Sequence, residues 1–150
     1  MKKFRFTLET LKDYRQQELD RQKNALSALQ AELRKIDEDI AALQIQLAQQ
    51  SEELVEISAR GATAYEIALR KRYIVTIQAD IHLKENQAAR KQEEINNQLD
   101  VVVEATKDVR TLEKLEEKQL EEYRFLEGKE NEQFIEEFVS GQSVRAMNQN

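Results

Sequence analysis

A heptad-like repeat of apolar residues over residues 26–57 constrains the fold of this chain more than any other feature. Steps of three and four residues alternate along the repeat, and only Gln50 interrupts it. A period of 3.5 residues keeps one side of a helix facing a partner helix along its whole length, as a left-handed coiled coil requires. The pattern therefore predicts a long coiled-coil helix whose seam comprises Leu26, Leu29, Leu33, Ile36, Ile40, Leu43, Leu47, Leu54 and Ile57.

A second, weaker repeat follows Gly61. Lys84, Lys91 and Gln98 dilute it with polar side chains, but its steps of three and four persist over several turns. Gly61 itself lies among weak helix formers, and a glycine in that position is typical of a helix end and a chain reversal. The second seam is predicted at Ile74, Ile77, Ile81, Ala88, Ile95, Val102, Val109 and Leu112.

Two seams joined near Gly61 predict an all-α fold, a long two-helix antiparallel coiled-coil hairpin. We expect one coiled-coil domain over residues 1–150, with helix 1 at about 4–58, helix 2 at about 64–139 and a flexible tail at about 140–150. The last turns of helix 2, after about Leu120, would have no partner within the chain. The alternative is one continuous helix that dimerises, because a single glycine costs a helix only about 1 kcal/mol.

Composition supports long helices with solvated faces. The chain has no Pro, no Cys, three Gly and 35% charged residues. A large compact core needs several chain turns, which usually contain Gly or Pro, so such a core is not expected. Without cysteine the chain has no disulfide and no thiolate metal site. The net charge of −6 comes from interleaved acidic and basic side chains, which argues against a nucleic-acid partner. Neither a secretory signal nor a bilayer-spanning stretch is visible.

The aromatic residues concentrate near the two termini, which a hairpin would bring to the same end. Phe134 and Phe138 share a helix face by their four-residue spacing, next to Ile135 and Val139. This apolar stripe, beyond the reach of helix 1, predicts a partner-binding surface. The alternative is that the terminal aromatics only close the end of the coiled coil, with Phe4 and Phe6 packed against Tyr123 and Phe125.

No pattern of catalytic or ligand-binding residues is present. The glycines are isolated, no nucleophile elbow surrounds a serine, and His82 is the only histidine. The glutamates around Lys114 and Lys118 have helical spacing and indicate a solvated face. We therefore expect no enzyme activity, no catalytic residues, no cofactor and no metal.

The two ends of the chain resemble those of a known protein family. The segment at residues 4–15, FRFTLETLKDYR, is similar to the amino-terminal signature of the flagellar export protein FliJ, and residues 111–123, TLEKLEEKQLEEY, resemble the carboxy-terminal helix of that family. The match spans nearly the whole chain, although its middle is generic coiled coil. The resemblance implies a non-enzymatic hairpin of the flagellar type III protein export apparatus, similar in shape to the central stalk of rotary ATPases.

The same resemblance implies the partners. They are the hexameric flagellar export ATPase (FliI-like), the cytoplasmic domain of the export gate (FlhA-like) and export chaperones, with no nucleic acid and no small-molecule substrate. The paired termini would insert into the ATPase ring, and the location would be cytoplasmic, peripheral at the inner membrane only through these partners. The implied binding residues are Leu8, Leu11, Phe134 and Phe138 at the ATPase end and Tyr73 and Ile77 for the export gate. We expect Tyr73 and Ile77, four residues apart, to lie on one outward or half-buried face near the turn.

Two other functions remain compatible with the sequence. One is a cytoplasmic scaffold or cytoskeletal coiled coil, and the other is the equivalent stalk of a virulence type III secretion system. A membrane-surface amphipathic protein is a weaker candidate, because the chain is acidic and has no basic apolar helix.

Overall fold

Two long α-helices account for most of the chain. The computed structural model describes residues 2–148, in which α1 spans Glu9–Arg60 and α2 spans Ala64–Asn148. The helices pack against each other, and no strand occurs among the described residues. The expected all-α fold with two long helices is confirmed.

The chain divides into two compact units. The turn unit, Arg21–Val103, contains the reversal between the helices. The terminal unit contains the chain up to Asp20 and from Glu104 onward. Whether the chain behaves as the expected single coiled-coil domain stays a prediction.

The reversal at Gly61 combines a left-handed residue with a capped helix start. Gly61 has a φ of 90°, the only positive φ found among the described residues, and a glycine adopts this conformation without the steric cost that a side chain adds. Thr63 then caps α2: its Oγ1 accepts a hydrogen bond from the Glu66 amide at 3.2 Å, and Glu66 Oε2 accepts one from the Thr63 amide at 3.4 Å. This reciprocal pair is a capping box, which satisfies donors that the helix start leaves free.

Burial in the turn unit follows the predicted seams. Every seam position listed above for α1, and Gln50 with them, is half-buried, whereas the neighbouring Ile45 and Val55 are exposed. On the part of α2 in the turn unit, the buried residues are Ile77, Ile81 and Ile95, all seam positions. The heptad reading of both helices is confirmed.

The lysines in the second seam are paired with acidic residues of α1. Lys84 Nζ lies 3.3 Å from Asp39 Oδ2, and Lys91 Nζ lies 2.7 Å from Glu32 Oε2. The hydrogen bond to Glu32 raises the pKa of Lys91. Both pairs are centred on the turn after Gly61, as an antiparallel hairpin requires. Half-exposed pairs of this kind contribute only about 0–1 kcal/mol each, so they align the helices more than they stabilise them.

A glutamine pair adds a further polar contact in the same seam. Gln98 Nε2 donates to Gln22 Oε1 at 2.8 Å and to the Gln22 backbone oxygen at 3.0 Å. A half-buried polar pair disfavours alternative alignments, because sliding one helix would leave its groups without partners. The two glutamines therefore favour one register of α1 against α2.

In the terminal unit, apolar and charged contacts alternate along the two helices. Leu19, Val109 and Leu112 are buried. Lys12 Nζ lies 2.6 Å from Glu116 Oε2, and this hydrogen bond raises the pKa of Lys12. The helices therefore remain paired through the first turns of α1.

The expected start of helix 1 near residue 4 is wrong. Residues 2–6 have no regular structure, a turn follows, and α1 begins only at Glu9. Phe4 and Phe6 are two residues apart, and an extended backbone points both side chains to the same side, which a helix would not do. Phe6 is buried, and the Phe4 ring lies 5.5 Å from the Tyr123 ring. We call residues 2–6 the amino-terminal arm.

The end of helix 2 also differs from the expectation. Helix α2 continues through Asn148 rather than ending near 139, because residues 140–148 contain no proline and an isolated glycine is tolerated in a helix at about 1 kcal/mol. The last two residues of the expected tail lie outside the described residues. Half-buried positions on α2 continue to Tyr123 and Glu127, beyond the expected limit at Leu120. The arm contacts α2 at Tyr123.

The turn geometry predicts opposite effects of alanine at two glycines. Gly61→Ala should lower the free energy of unfolding by about 1–2 kcal/mol, because a side chain is strained at positive φ. Gly128→Ala should not lower it, because Gly128 lies within α2 with open space around it and alanine favours the helix by about 1 kcal/mol. Urea denaturation followed by circular dichroism measures both. Equal midpoints for the two variants would show that the reversal does not depend on Gly61.

Candidate functional site

The last part of α2 has no packing partner among the described residues. All residues of 131–148, which we call the unpaired segment, are exposed. Phe134 is 68% exposed, and Ile135, Phe138 and Val139 are similarly accessible. We call these four residues the apolar stripe, because the helical period places them on one side of α2. Large exposed apolar patches mark interaction sites.

Leu8 and Leu11 lie elsewhere in the terminal unit. Both are partly exposed at the start of α1, next to the contact in which Thr7 Oγ1 lies 3.4 Å from Gln119 Oε1. Phe134 follows Gln119 by fifteen residues, which is about 22 Å along a helix. The four residues assigned to the ATPase end therefore form two separate patches rather than one site.

The amino-terminal arm is fixed to α2 by Tyr123. The Tyr123 hydroxyl donates a hydrogen bond to the Lys2 backbone oxygen at 2.6 Å, and its ring packs on Phe4. Burial raises the pKa of Tyr123, and Glu127 adds to the effect, so the hydroxyl remains a donor at neutral pH. The alternative reading of the aromatics is thus confirmed for Phe4, which packs on Tyr123. Phe6 is buried, whereas Phe125 is exposed, with Lys129 Nζ over its ring.

A second accessible surface lies in the turn unit. An open groove of about 620 Å³, which we call the turn groove, runs beside the first turns of α2. Tyr73 is 44% exposed in this groove and Leu69 is also exposed. Its lining consists of Gln50, Glu66, Leu69, Arg70, Arg72, Tyr73 and Thr76.

Ile77 does not share this surface with Tyr73. The expectation that both residues lie on one outward or half-buried face is wrong for Ile77, which is only 3% exposed. The reason is its seam position, three residues after Ile74 and four before Ile81, which turns its side chain toward α1. A partner could contact Tyr73 directly, whereas Ile77 supports the hairpin beneath.

Two arginines border the turn groove. Arg70 donates hydrogen bonds to Glu53 and, at 3.2 Å, to Gln50 Oε1. Arg72 also lines the groove and is exposed. Glu66 also lines it, but its carboxylate accepts the Thr63 amide hydrogen bond. The sequence identified Tyr73 and not Leu69, although the four-residue spacing of Leu69 from Tyr73 was a usable signal.

Other kinds of site are not found in the described part of the chain. Residues 2–148 hold no group of three or more metal-ligating side chains. No helix formed by these residues is long and apolar enough to cross a membrane. His82 is a surface residue with Glu85 as its neighbour, 3.7 Å away.

Comparison with known proteins identifies a family that covers nearly the whole chain. The family model described as the flagellar FliJ protein matches residues 4–148, nearly the whole chain. No curated protein and no solved structure matches significantly.

Proposed function

The chain belongs to the FliJ family of flagellar proteins, and we propose that it acts as the central stalk and a chaperone-like component of the flagellar type III export apparatus. The family consists of coiled-coil proteins associated with flagellar export and without catalytic activity. In this proposal the paired chain termini insert into the hexameric export ATPase ring. Other surfaces contact the export gate and export chaperones, and the protein resides in the cytoplasm, at the inner membrane only through its partners.

The observation that supports ring insertion is the apolar stripe on the unpaired segment. Phe134 and Phe138 lie on the part of α2 that none of the residues 2–148 covers. Burying a phenylalanine side chain fully contributes about 1.5–3 kcal/mol. Two such residues, with Ile135 and Val139 beside them, supply enough apolar area to hold the end of α2 in a cleft of a partner.

A stalk without catalytic groups can change ATP hydrolysis in one way. It must bind some conformations of the ATPase subunits more tightly than others, because a ligand shifts an equilibrium only by its differential affinity. An asymmetric helix pair inside a six-fold ring contacts its subunits unequally. The unequal contacts would promote ring assembly or favour one catalytic state.

The proposal is tested by titrating purified flagellar export ATPase with this chain. We expect ATP turnover to rise and then saturate. A scaffold or cytoskeletal coiled coil would leave turnover unchanged, and the virulence-system alternative predicts stimulation of a virulence export ATPase in preference to the flagellar one.

Binding to the export gate is proposed for Tyr73. Tyr73→Ala should weaken binding to the cytoplasmic domain of the gate by about tenfold, because an exposed aromatic anchor is lost while the seam is untouched. Calorimetric titration measures the affinity, and Tyr14→Ala, an exposed tyrosine in the terminal unit, is the control. Unchanged affinity for Tyr73→Ala would remove this residue from the gate contact.

A further inference from the structure

The side of α2 that contacts α1 continues past the end of the helix pair. Within the terminal unit, Glu116 contacts α1 and Tyr123 contacts the amino-terminal arm. With about 100° between consecutive helix residues, Phe134 and Phe138 lie within about 60° of both of these contact residues around the helix axis. The two phenylalanines therefore extend an existing interface along a part of α2 that none of the residues 2–148 covers.

The residues on this side of α2 are arranged symmetrically about Glu136. Phe134 and Phe138 are each two residues from it, and Glu127 and Arg145 are each nine residues from it. These four residues lie within about 40° of one another around the helix, whereas Glu136 lies on the opposite side. The same surface thus carries an acid at one end, a base at the other end and two aromatic rings between them.

This arrangement is complementary to itself when two such helices run antiparallel. Phe134 of one copy then lies against Phe138 of the other, and Glu127 lies against Arg145. Each contact occurs twice, as a two-fold axis requires. A parallel pair would instead bring Glu127 against its own counterpart and Arg145 against its own.

We propose that two copies of this chain pair antiparallel through residues 127–145 of α2. Helix α1 also runs antiparallel to α2, so the second copy continues the helix pair in the direction of α1 beyond the amino-terminal arm. The pairing needs no export ATPase and goes beyond the proposed function. It adds a state in which the apolar stripe is covered by a second copy and must be released before another partner binds it.

The paired length sets the affinity. Residues 127–145 span about 27 Å of helix, and interfaces of small area are weak and transient. Glu137 lies at the edge of the paired face, about 80° from its centre, where the like charges of the two copies oppose association. We expect a dissociation constant on the order of 10–100 µM, which lets the two copies separate readily.

Sedimentation equilibrium of the full chain, from about 5 to about 500 µM in about 50 mM NaCl, tests the pairing. Wild type should pass from monomer to dimer over this range. Phe134→Ala combined with Phe138→Ala should weaken association at least about a hundredfold, because four buried rings are lost from each dimer. Circular dichroism checks that the variant remains helical.

Charge variants test the antiparallel register. Arg145→Glu alone and Glu127→Arg alone should each weaken association about tenfold, because like charges then meet at both ends of the paired region. An equal mixture of these two variants should associate as wild type does, because every arginine again faces a glutamate. Glu136→Arg, the same change as Glu127→Arg on the opposite side of α2, is the matched control and should stay within about twofold of wild type.

Four results would overturn the proposal. They are a wild type that stays monomeric at about 500 µM, a dimer that survives the loss of both phenylalanines, a mixture of the charge variants that associates no better than either alone, and a mixture that associates more tightly than wild type, as a parallel pair would. The ATPase takes no part in these measurements. A monomeric chain that still stimulates ATP turnover would therefore overturn the pairing and leave the proposed function in place.

Discussion

Ile77→Asp is expected to lower the free energy of unfolding by about 3 kcal/mol or more. The substitution removes a side chain that is only 3% exposed and places a carboxylate in the seam. Loss of a buried isoleucine alone costs about 2–5 kcal/mol, and an unpaired charge adds to this. No cation stands one helical turn away to pair with the new carboxylate, since those positions hold Tyr73, Ile74, Asp80 and Ile81.

Ile45→Asp is the matched control for this prediction. Ile45 is the same residue type in the same unit, but it is 61% exposed on the outer side of α1. Surface substitutions away from special features usually change stability by no more than about 0.5 kcal/mol. Urea denaturation of both variants decides the point, and equal midpoints would mean that the register of α2 is wrong.

Phe134→Ala combined with Phe138→Ala is expected to abolish stimulation of the export ATPase. Both side chains are exposed, so their removal should not destabilise the helix pair. If both are buried in the ring, their loss removes about 3–6 kcal/mol of apolar contact, which corresponds to at least about a hundredfold in affinity. Helicity measured by circular dichroism should stay unchanged.

A second double variant separates this effect from a general loss of exposed apolar surface. Ile45 and Val55 are exposed on α1 outside the terminal unit, so Ile45→Ala with Val55→Ala should leave ATPase binding at the wild-type level. Fluorescence anisotropy with labelled chain measures the affinity of each variant for the ATPase. Comparable weakening by both double variants would indicate non-specific hydrophobic adhesion.

The seams were predictable because a coiled coil repeats one local rule over many turns. The half-buried positions from Leu26 to Ile57 follow directly from the alternating steps of three and four. The turn was predictable for a similar reason, since glycine is the residue that adopts a positive φ at low cost, as Gly61 does. The cap at Thr63 also had a sequence signal in its spacing from Glu66, which the sequence analysis missed.

The amino-terminal arm was harder to predict. Phe4 and Phe6 alternate with charged residues over too few positions to distinguish an extended segment from the start of a helix. The contact with Tyr123, far away in the sequence, decides between them. Ile77 was predicted both as a seam residue and as part of a partner-binding surface, because its position in the sequence fits either role. Its burial in the structure assigns it to the seam.

The partner-binding role of the apolar stripe, of Leu8 and Leu11, and of Tyr73 stays a prediction. Exposure shows which side chains can be reached, and it does not identify what reaches them. The apolar stripe at Phe134 and Phe138 is the most accessible of these surfaces, because it lies on a segment in which every residue is exposed.

ATP turnover by the purified flagellar export ATPase is the most direct measurement of the stalk function. The rate is followed while the ATPase is titrated with wild type, with Phe134→Ala and Phe138→Ala combined, and with Ile45→Ala and Val55→Ala combined. The stalk function predicts saturable stimulation by wild type and by the Ile45 and Val55 variant, and none by the phenylalanine variant. No stimulation by wild type, or equal stimulation by all three proteins, would contradict a stalk that acts through the apolar stripe.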